Sequence, residues 1–449
     1  MKVTFLGATE TVTGSLFILE SKGTKILIDC GMFQGLKNLR LKNWSDFDFN
    51  IHEIDAVILT HAHVDHSGRI PLLVKRGFHK KIFCTPATAD LAEILLKDAA
   101  MLQMEDAEFA NQKKFSKHKP ARPLYDFADV QSTLPLFTRY NFNEEFIIGD
   151  LKVKFLRAGH ILGAAQVLIE SHGKSILFSG DLGRKNDPLM KGPDRAATCD
   201  IIVMESTYGG KLHDKSDPIE KMAAIVRDVI KNRGVLMIPS FAVARAQLIL
   251  HTIFKVFEKY PELKIPVTLN SPMASNVSKL YLKYIDEHKL TREQIAEVFS
   301  TAKYIEFPKQ SVKLNESEGP QIVIAGSGML TGGRILHHLW AWGKDERNII
   351  LLVGHQAEGT RGYDLENGIT KLKLHGNYLD VKARVMKLET FSAHADQEEL
   401  LDWLSQARTV KKVVLVHGEQ ESSATLSFKI QERFKLPVEV ALVNQTIEW

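Results

Sequence analysis

Short apolar runs, separated by breaks rich in Gly, Ser, Asp and Pro, mark the first half of the chain. They predict strands over residues 2–6, 16–19, 25–29, 56–60 and 81–84, and then over 151–156, 165–169, 175–179 and 201–204. Between the two sets of strands, Ala, Leu, Glu and Met recur at helical spacing and predict a helix over 85–117. Several of the strands lead directly into a loop that carries an acidic residue or a histidine.

The pattern changes after about residue 208, where strands and helices begin to alternate. Asp217 and Pro218 are typical of a helix start, and Gly234 is typical of its end. Beyond this helix we predict strands over 235–238, 267–270, 321–325 and 349–353, with helices over 244–260, up to about 302, and over 334–340. Such alternation predicts a parallel α/β unit.

Strand-rich sequence returns from about residue 371, followed by a helix over 397–407 and a strand over 412–416. We therefore predict an α/β domain that is interrupted by an inserted parallel α/β domain. The expected boundaries are 1–207 for the first part of the outer domain, 208–370 for the insertion and 371–449 for the C-terminal part of the outer domain.

Composition narrows the class of protein only slightly. Apolar residues make up 44% of the 449 residues and charged residues 25%, and the net charge of +4 neither requires nor excludes a polyanionic partner. We expect no membrane span and no signal peptide. The three cysteines lack CxxC spacing, which suits a reducing cytoplasm. The basic stretch over 113–122 is interpreted either as a surface loop or as a phosphate-contacting arm.

The loop after the apolar run at 56–59 carries the most informative motif. His61, His63, Asp65 and His66 form an HxHxDH pattern, and imidazole nitrogens and carboxylate oxygens are ligands that zinc prefers. Burying this combination unpaired would be costly, so a packing role does not explain it. The motif therefore predicts a metal site.

Further candidate ligands stand at the ends of later strands. His160, Asp181 and His417 each follow a predicted strand and lie beside a glycine, which lets the backbone turn sharply so that ligands can converge. With the HxHxDH loop they offer enough ligands for two metal ions. Other histidines, among them His375, lack such a motif and are interpreted as surface or hydrogen-bonded side chains. His337 and His338 lie on a predicted helix after a Gly-rich loop, where a metal role is the minor alternative.

These residues resemble the motifs of the metallo-β-lactamase superfamily, with Asp29 as the first, residues 61–66 as the second, His160 as the third and Asp181 as the fourth. The resemblance implies an αββα sandwich with two Zn²⁺ at one edge. It also implies the ligand sets: His61, His63 and His160 for one zinc, Asp65, His66 and His417 for the other, with Asp181 bridging and Asp29 and Glu419 orienting the ligands from behind.

The insertion resembles that of the β-CASP nucleases. Residues 205–209 resemble motif A of that family, 392–396 resemble motif B and 416–419 resemble motif C. The resemblance spans essentially the whole chain and is strongest to the branch that contains the endonuclease subunit of the eukaryotic pre-mRNA cleavage and polyadenylation factor. Further resembling segments supply RNA-contact candidates, which are Arg245, Ser327, Gly328 and Thr360. Ala244, Leu248, His355 and Tyr363 depart from the family's pattern near these contacts.

The resemblance implies a zinc-dependent ribonuclease that cuts single-stranded RNA internally and leaves 5′-phosphate and 3′-hydroxyl ends. In this interpretation the zinc ions activate water and clamp the phosphate oxygens, and Asp65 orients or deprotonates that water. His394 donates a proton to the leaving oxygen, and Glu205 orients His394. The resemblance also allows a homodimer.

Four alternatives stay open on the sequence alone. The first is a 5′-to-3′ exoribonuclease on the same scaffold, and the second is DNA as the substrate. The third is a small-molecule metallohydrolase, which the long insertion and the motif around His394 disfavour. The fourth is a non-catalytic scaffold subunit, which is disfavoured because every expected ligand position is filled.

Overall fold

The computed structural model of the protein describes residues 1–114, 118–354, 356–374 and 376–449. His355, His375 and the centre of the basic stretch at 113–122 lie outside the described residues. The chain divides into two compact units, of which the first comprises Met1–Leu212 with His394–Trp449 and the second His213–Ala393. In the described part of the chain, no helix is both long and apolar enough to cross a membrane.

The strands and helices agree closely in position with those expected over much of the chain. The strands are β1 (Lys2–Phe5), β2 (Phe17–Ser21), β3 (Thr24–Ile28), β4 (Ala56–Ile58), β5 (Ile82–Cys84), β6 (Phe137–Arg139), β7 (Glu145–Ile148), β8 (Leu151–Arg157), β9 (Ala165–Ser171), β10 (Lys174–Phe178), β11 (Ile201–Glu205), β12 (Val235–Pro239), β13 (Val267–Asn270), β14 (Lys303–Tyr304), β15 (Gln321–Ala325), β16 (Ile349–Val353), β17 (Lys371–Leu374), β18 (Asn377–Asp380), β19 (Arg384–Leu388), β20 (Lys412–Val416), β21 (Val438–Val440) and β22 (Thr446–Glu448). The helices are α1 (Lys37–Leu41), α2 (Val64–Ser67), α3 (Ile70–Lys75), α4 (Pro86–Lys113), α5 (Phe127–Thr133), α6 (Pro218–Asn232), α7 (Arg245–Lys259), α8 (Pro272–Lys283), α9 (Arg292–Ser300), α10 (Pro308–Leu314), α11 (Ile335–Trp342), α12 (Arg361–Glu366), α13 (Gln397–Leu404) and α14 (Gln420–Phe434).

Two seven-stranded sheets form the first unit. Their strand orders are β22-β1-β2-β3-β4-β5-β6 and β21-β20-β11-β10-β9-β8-β7. Alternate side chains from both sheets are buried in one apolar core, in which the rings of Phe17 and Phe178 stack at 6.1 Å and Phe5 meets Phe17 edge-on at 5.5 Å. This is a β-sandwich with helices, as expected for the outer domain.

Each of the two sheets has an antiparallel part and a parallel part. Strands β3, β4 and β5 run parallel in one sheet, and β10, β11 and β20 run parallel in the other. Because parallel strands end at the same edge of their sheet, the loops that follow them lie side by side. The loops with the candidate ligands are among them.

The second unit is built on a parallel sheet of six strands in the order β14-β13-β15-β12-β16-β19, with a separate hairpin of β17 and β18. Helix α6 begins as expected, because the Asp217 carboxylate accepts a hydrogen bond from the Ile219 amide at 2.8 Å and Pro218 occupies the first turn. The structure thus confirms the predicted fold class, an α/β domain with an inserted parallel α/β domain.

The units divide at places that differ from the expected domain boundaries. Strand β19 pairs with β16 along its whole length, from Ile349 opposite Arg384 to Val353 opposite Leu388, so residues 371–393 lie in the second unit. The sequence also gave no sign of α14, β21 and β22. Only Ser423, Leu426 and Ile430 of α14 are buried, which is a weak apolar pattern for a helix of 15 residues.

His338 is a fully buried histidine of the second unit. Its Nε2 accepts a hydrogen bond from the Asn270 amide at 2.7 Å, its Nδ1 donates to Asn315 Oδ1 at 2.5 Å, and its ring stacks on Trp342. Burial, with the charge of His337 and Arg334, lowers the pKa of His338 to about 4. Its neutral form is therefore the one that the folded unit needs.

We expect the free energy of unfolding to fall less between pH 7 and pH 5 in His338→Gln than in the wild-type protein. The native pKa is depressed below the unfolded value of about 6.5, so the unfolded chain takes up a proton first and stability falls between pH 6.5 and 4. This residue alone should cost roughly 2 kcal/mol between pH 7 and pH 5. Glutamine can keep one donor and one acceptor without titrating. Denaturant unfolding at both pH values measures the difference.

The matched control is His337→Gln, because His337 is the exposed neighbour on the same helix. Because burial is the main cause of the depressed pKa of His338 and the charge of His337 a smaller one, this control should keep most of the pH dependence of the wild-type protein. An unchanged pH dependence in His338→Gln would contradict the assignment of a neutral His338.

Candidate metal centre

The ends of five strands bring the candidate site together. Asp29 follows β3, His61 comes soon after β4, Asp181 follows β10, Glu205 ends β11 and His417 follows β20. Asp29 and His417 have positive φ values of 60° and 50°, which mark the sharp turns that leave the sheet. These residues are almost fully buried, at 0–4% exposure.

The HxHxDH loop continues into the short helix α2 and packs tightly on the loop after β3. The backbone at Gly31 approaches the HxHxDH loop so closely that a Cβ at Gly31 would lie 1.6 Å from the carbonyl oxygen of Asp65. Met32 donates a backbone hydrogen bond to Val64 O at 2.9 Å. Only glycine fits at position 31, and this contact fixes the backbone that carries Asp65 and His66.

Four side chains form the first group of candidate ligands. His61 Nε2 and His160 Nε2 each lie 3.2 Å from His63 Nδ1, and they lie 3.5 Å and 3.8 Å from Asp181 Oδ2. The atoms that face one another are thus three imidazole nitrogens and one carboxylate oxygen. One atom from each residue lies within 4.8 Å of the others, so the group could hold one metal ion.

Three side chains form the second group. His66 Nε2 lies 3.2 Å from His417 Nε2, and His417 Nε2 lies 3.4 Å from Asp65 Oδ2. One atom from each of the three again lies within 4.8 Å of the others. The other oxygen of Asp181, Oδ1, lies 3.3 Å from His66 Nε2 and 3.6 Å from His417 Nδ1.

Asp181 therefore presents one carboxylate oxygen to each group. Its Oδ1 is buried and has no hydrogen-bond partner among the described residues, although it is surrounded by ring nitrogens. A buried carboxylate oxygen without a donor is costly, and a cation would satisfy it. The donor set of imidazoles and carboxylates fits two divalent ions that share Asp181.

The pKa values of Asp181 and His66 are shifted by the charged groups that meet in this centre. Burial raises the pKa of the Asp181 carboxyl, but His417, His66 and His61 outweigh burial and hold it well below its usual range. Burial lowers the pKa of His66, but Asp181 and Asp29 outweigh burial and hold that pKa well above its usual range. The negative charge of the centre thus favours a positive charge beside it, which a bound metal ion could supply.

Three further ligand candidates, His61, His63 and Asp65, favour the protonation states that bind metal. Burial, with the neighbouring His66, holds the pKa of His61 well below its usual range, and burial lowers the pKa of His63 to about 4. Burial raises the pKa of Asp65, but its contact with His417 and the charges of nearby histidines outweigh burial and lower that pKa to about 2. Neutral imidazoles and an ionised carboxylate are the forms that coordinate a cation.

A layer of polar side chains behind the ligands orients them. His66 Nδ1 donates to Asp29 Oδ2 at 2.7 Å, so its Nε2 faces the centre. Asp29 is itself held by the Thr60 amide at 2.8 Å, the Thr60 hydroxyl at 2.9 Å and the Ser15 hydroxyl at 3.3 Å. Thr60 Oγ1 also lies 3.1 Å from His61 Nδ1. Such contacts fix ring orientation and tautomer.

His394 and Glu205 form a pair beside the first group. His394 Nδ1 lies 3.3 Å from Glu205 Oε1, and His394 Nε2 lies 4.0 Å from Asp181 Oδ2. The His394 side chain is 20% exposed, whereas Glu205 is 1% exposed, so the histidine can be reached from solvent and its partner cannot. Burial lowers the pKa of His394, but Glu205 outweighs burial and raises it above its usual range.

The loop that carries His394 is anchored on both sides. The Ala395 amide donates to Leu182 O at 2.7 Å, and the Leu182 amide donates to Glu205 Oε1 at 2.5 Å. Asp396 then caps α13, accepting from the Glu399 amide at 3.0 Å while its own amide donates to Glu399 Oε2 at 3.1 Å. The pair of His394 and Glu205 is thus held in place by backbone contacts.

Not all of the predicted residues join this cluster. Glu419 is exposed at the start of α14, where its carbonyl oxygen accepts from the Ser423 amide at 2.9 Å. Its expected role in orienting ligands stays a prediction.

The four RNA-contact candidates lie in the second unit. Arg245 begins α7, and Ser327 and Gly328 follow β15. The Ser327 hydroxyl accepts from the Thr331 amide at 3.0 Å, and the Thr360 hydroxyl donates to Ala357 O at 2.6 Å while it caps α12. Both hydroxyls are used within their own loops, so contact with RNA stays a prediction for these residues.

Three hydroxyl residues that contact the histidines or their supports were not predicted from the sequence. These are Thr60, Thr207 and Ser15. Thr207 Oγ1 lies 3.1 Å from His417 Nδ1, although the two residues are 210 positions apart. Thr60 directly precedes His61, so its position offered a local hint, whereas the pairing of Thr207 with His417 needs the register of β11 and β20.

Three family models match the chain. The metallo-β-lactamase superfamily matches residues 10–223, the Beta-Casp domain matches 246–365, and the Zn-dependent metallo-hydrolase RNA specificity domain matches 378–441. Together they cover both compact units of the structure.

Several curated proteins are similar over nearly the whole chain. A ribonuclease from Thermus thermophilus is 35% identical over 436 residues, which cover 95% of each chain. An RNase J-like protein from Methanocaldococcus jannaschii is 30% identical over 440 residues, or 96% of each chain. Cleavage and polyadenylation specificity factor 73 from Drosophila melanogaster is 30% identical over 96% of this chain and 61% of its own.

A solved structure supports the fold alone. The crystal structure of a protein of unknown function from Enterococcus faecalis V583 matches with a TM-score of 0.52 and 14% identity, covering 99% of both chains. At this identity the likeness extends to architecture and no further.

We expect the two ligand groups to lose metal separately. His63→Asn should remove the ion of the first group and His417→Asn the ion of the second, so that each variant keeps about one ion where the wild-type protein keeps two. Asp181→Asn should weaken both ions, because each group faces one of its oxygens. Elemental analysis after dialysis against a weak chelator measures the content.

His52→Asn is a suitable control, since His52 is exposed in the 3-10 turn before β4 and belongs to neither group. Two ions retained by both His63→Asn and His417→Asn would refute the proposed ligand groups.

Proposed function

Because this chain belongs to the metallo-β-lactamase superfamily and to its β-CASP ribonuclease branch, we propose that it hydrolyses phosphodiester bonds of single-stranded RNA. The observation that carries the proposal is the pair of His394 and Glu205, which lies against two adjoining groups of metal ligands. A metal centre that only stabilised the fold would have no use for a partly exposed histidine with a raised pKa beside it.

The ions are proposed to be two Zn²⁺. The nitrogen-rich donor set of His61, His63 and His160 favours zinc over calcium or magnesium, which prefer oxygen ligands. Bound zinc would supply positive charge that polarises the phosphoryl oxygens and lowers the pKa of water. Asp181, with one oxygen facing each group, would keep both ions in one site.

Asp65 is proposed to orient the attacking water. Its pKa of about 2 makes it a weak base at neutral pH, so accepting a hydrogen bond from the water suits it better than removing a proton completely. Its side chain is 20% exposed, while its neighbour His66 is 3% exposed, so a substrate-side water can reach it.

His394 is proposed to donate the proton that the leaving oxygen needs. Glu205 accepts a hydrogen bond from His394 Nδ1, which leaves His394 Nε2 directed toward Asp181 and the ligand groups. The raised pKa of His394 keeps its ring protonated nearer to neutral pH. Protonation of a leaving 3′ oxygen gives a 3′-hydroxyl end and leaves the phosphate on the 5′ end of the other product.

We propose internal cleavage as the main activity, with 5′-to-3′ exonuclease action as the competing alternative. The proposed RNA contacts are Arg245, whose guanidinium suits a phosphate, and the loop of Ser327 and Gly328. Thr360, which caps α12, is the fourth proposed contact. The three cysteines are free and buried, which supports a reducing, cytoplasmic compartment. A homodimer stays a prediction.

An RNA with a blocked 5′ end and an internal label should be cut into defined fragments in the presence of zinc. Internal cutting needs no free end, so the block should leave the rate unchanged. Gel analysis with end mapping should find 5′-phosphate and 3′-hydroxyl termini. Release of mononucleotides only after the block is removed would instead identify the exonuclease. A single-stranded DNA of the same sequence is the matched control and should be a poorer substrate.

His394→Ala should lower kcat by about 10²–10⁴-fold while zinc content stays at the wild-type value, because His394 belongs to neither ligand group. Glu205→Gln should cause a smaller loss and shift the alkaline limb of the pH–rate profile toward lower pH, since His394 acts in its protonated form and the carboxylate that raises its pKa is gone. Steady-state cleavage across pH, with zinc measured on the same samples, checks both. Wild-type turnover in His394→Ala would rule out this acid.

A further inference from the structure

We infer that Thr207 is a positioning residue that sets the tautomer of His417, so that Nε2 of His417 is the atom offered to a metal ion. The inference rests on the proposed function only in taking the group of Asp65, His66 and His417 as an ion site. Thr207 itself contacts neither ion nor substrate in this assignment, since its hydroxyl lies on the opposite edge of the imidazole ring.

The assignment follows from the one proton that a hydroxyl carries. Thr207 Oγ1 lies 3.0 Å from the carbonyl oxygen of His417, and a carbonyl oxygen can only accept, so the hydroxyl proton is used there. The same Oγ1 lies 3.1 Å from His417 Nδ1. Because its only proton is used in the bond to the carbonyl oxygen, the hydroxyl can only accept a hydrogen bond from His417 Nδ1. His417 therefore carries its proton on Nδ1, and Nε2 keeps its lone pair.

No other acceptor competes for the Nδ1 proton at hydrogen-bonding distance among the contacts of the described residues. Asp181 Oδ1 lies 3.6 Å from His417 Nδ1, which is too long for a hydrogen bond. On the other side of the ring, Asp65 Oδ2 lies 3.4 Å from Nε2. Without Thr207, the proton could move to Nε2 and face Asp65. That tautomer would block the nitrogen that the ion needs.

The first group contains the same device. The Thr60 hydroxyl donates to Asp29 Oδ2 at 2.9 Å and lies 3.1 Å from His61 Nδ1, so it too can only accept from the ring. Each ligand group thus has one histidine whose tautomer is set by a threonine. Thr60 also supports Asp29, and through it His66, whereas the side chain of Thr207 acts on His417 alone. Thr207 is therefore the cleaner position to test.

The Thr207 hydroxyl is held firmly enough for this task. Ser422 Oγ shares its one proton between the carbonyl oxygens of Ser206 and Thr207, at 2.7 Å and 3.1 Å, and Ser206 Oγ donates to Val416 O at 2.8 Å. These contacts join the ends of β11 and β20, where Glu205 lies opposite Val416. A group fixed in this way orients the ring without an entropic cost at each binding event.

The test is zinc titration of Thr207→Val against a chromophoric chelator. Valine keeps the branched shape and removes the hydroxyl, so the affinity of the second group's ion should fall by roughly 10- to 100-fold while the first ion is unaffected. Thr207→Ser keeps the hydroxyl and should restore the wild-type affinity. Equal losses in the valine and serine variants would indicate packing and would overturn the inference, as would wild-type affinity in Thr207→Val.

A double variant separates positioning from general damage. In a His417→Asn background the hydroxyl has no ring to orient, so adding Thr207→Val should cause no further loss of zinc affinity. An additive loss would overturn the inference. Thr207→Ala, compared with Thr207→Ser in the same way, serves if the valine variant does not fold, which circular dichroism shows.

His52→Asn is the control, because His52 belongs to neither ligand group. This variant should bind both ions as the wild-type protein does, and a loss equal to that of Thr207→Val would overturn the inference. The titration reads ion affinity without RNA. A wild-type protein that binds two ions and cuts no RNA would therefore contradict the proposed function and leave the result on Thr207 intact.

Discussion

The buried carboxylate of Asp181 is the constraint on which the centre depends. A negative charge at 2% exposure, with one oxygen lacking a hydrogen-bond donor, is not tolerated in a protein interior unless positive charge or polarisable donors surround it. Nitrogens of His61, His66, His160 and His417 approach this carboxylate at 3.3–3.8 Å from three separate segments of the chain. The sandwich has to hold those segments in place, and most of its local features at this edge serve that purpose.

The fold meets this demand through the shared ends of parallel strands. Ile28 pairs with Ile58 in one sheet and Phe178 with Val203 in the other, so the residues that follow them emerge at the edges of their sheets. The apolar interior between the sheets, with Phe17 stacked on Phe178, fixes the sheets against each other. A loop that carries a ligand then needs only a short turn, as the positive φ values at Asp29 and His417 show.

How much of this could be read from the sequence depended on how local each feature is. The HxHxDH loop is contiguous, and His160, Asp181 and His417 each carry the mark of a polar residue after an apolar strand, so the structure does bring all seven predicted ligands together. The hydroxyls of Thr207 and Ser422 could not be predicted, because their partners are 210 and more residues away and depend on the register of β20 beside β11. Helix α14 was not predicted because only three of its side chains are buried. The placement of residues 371–393 was not predicted because β19 joins its sheet by pairing with β16, which is distant in sequence.

The short segment after β11 has two separable duties. The side chain of Glu205 faces His394, and the side chain of Thr207 faces His417, while the Thr207 amide donates to Glu205 Oε2 at 3.3 Å and ties the two together. A displacement of this backbone would therefore move the proposed proton donor and a proposed metal ligand in concert. Because the contacts of Ser422 in α14 oppose such a displacement, the fold sets the distance between the proposed proton donor His394 and the proposed metal ligand His417 before any ligand binds. Preorganisation of this kind lowers the reorganisation that catalysis would otherwise require, and it explains why hydroxyls remote in sequence lie behind the centre.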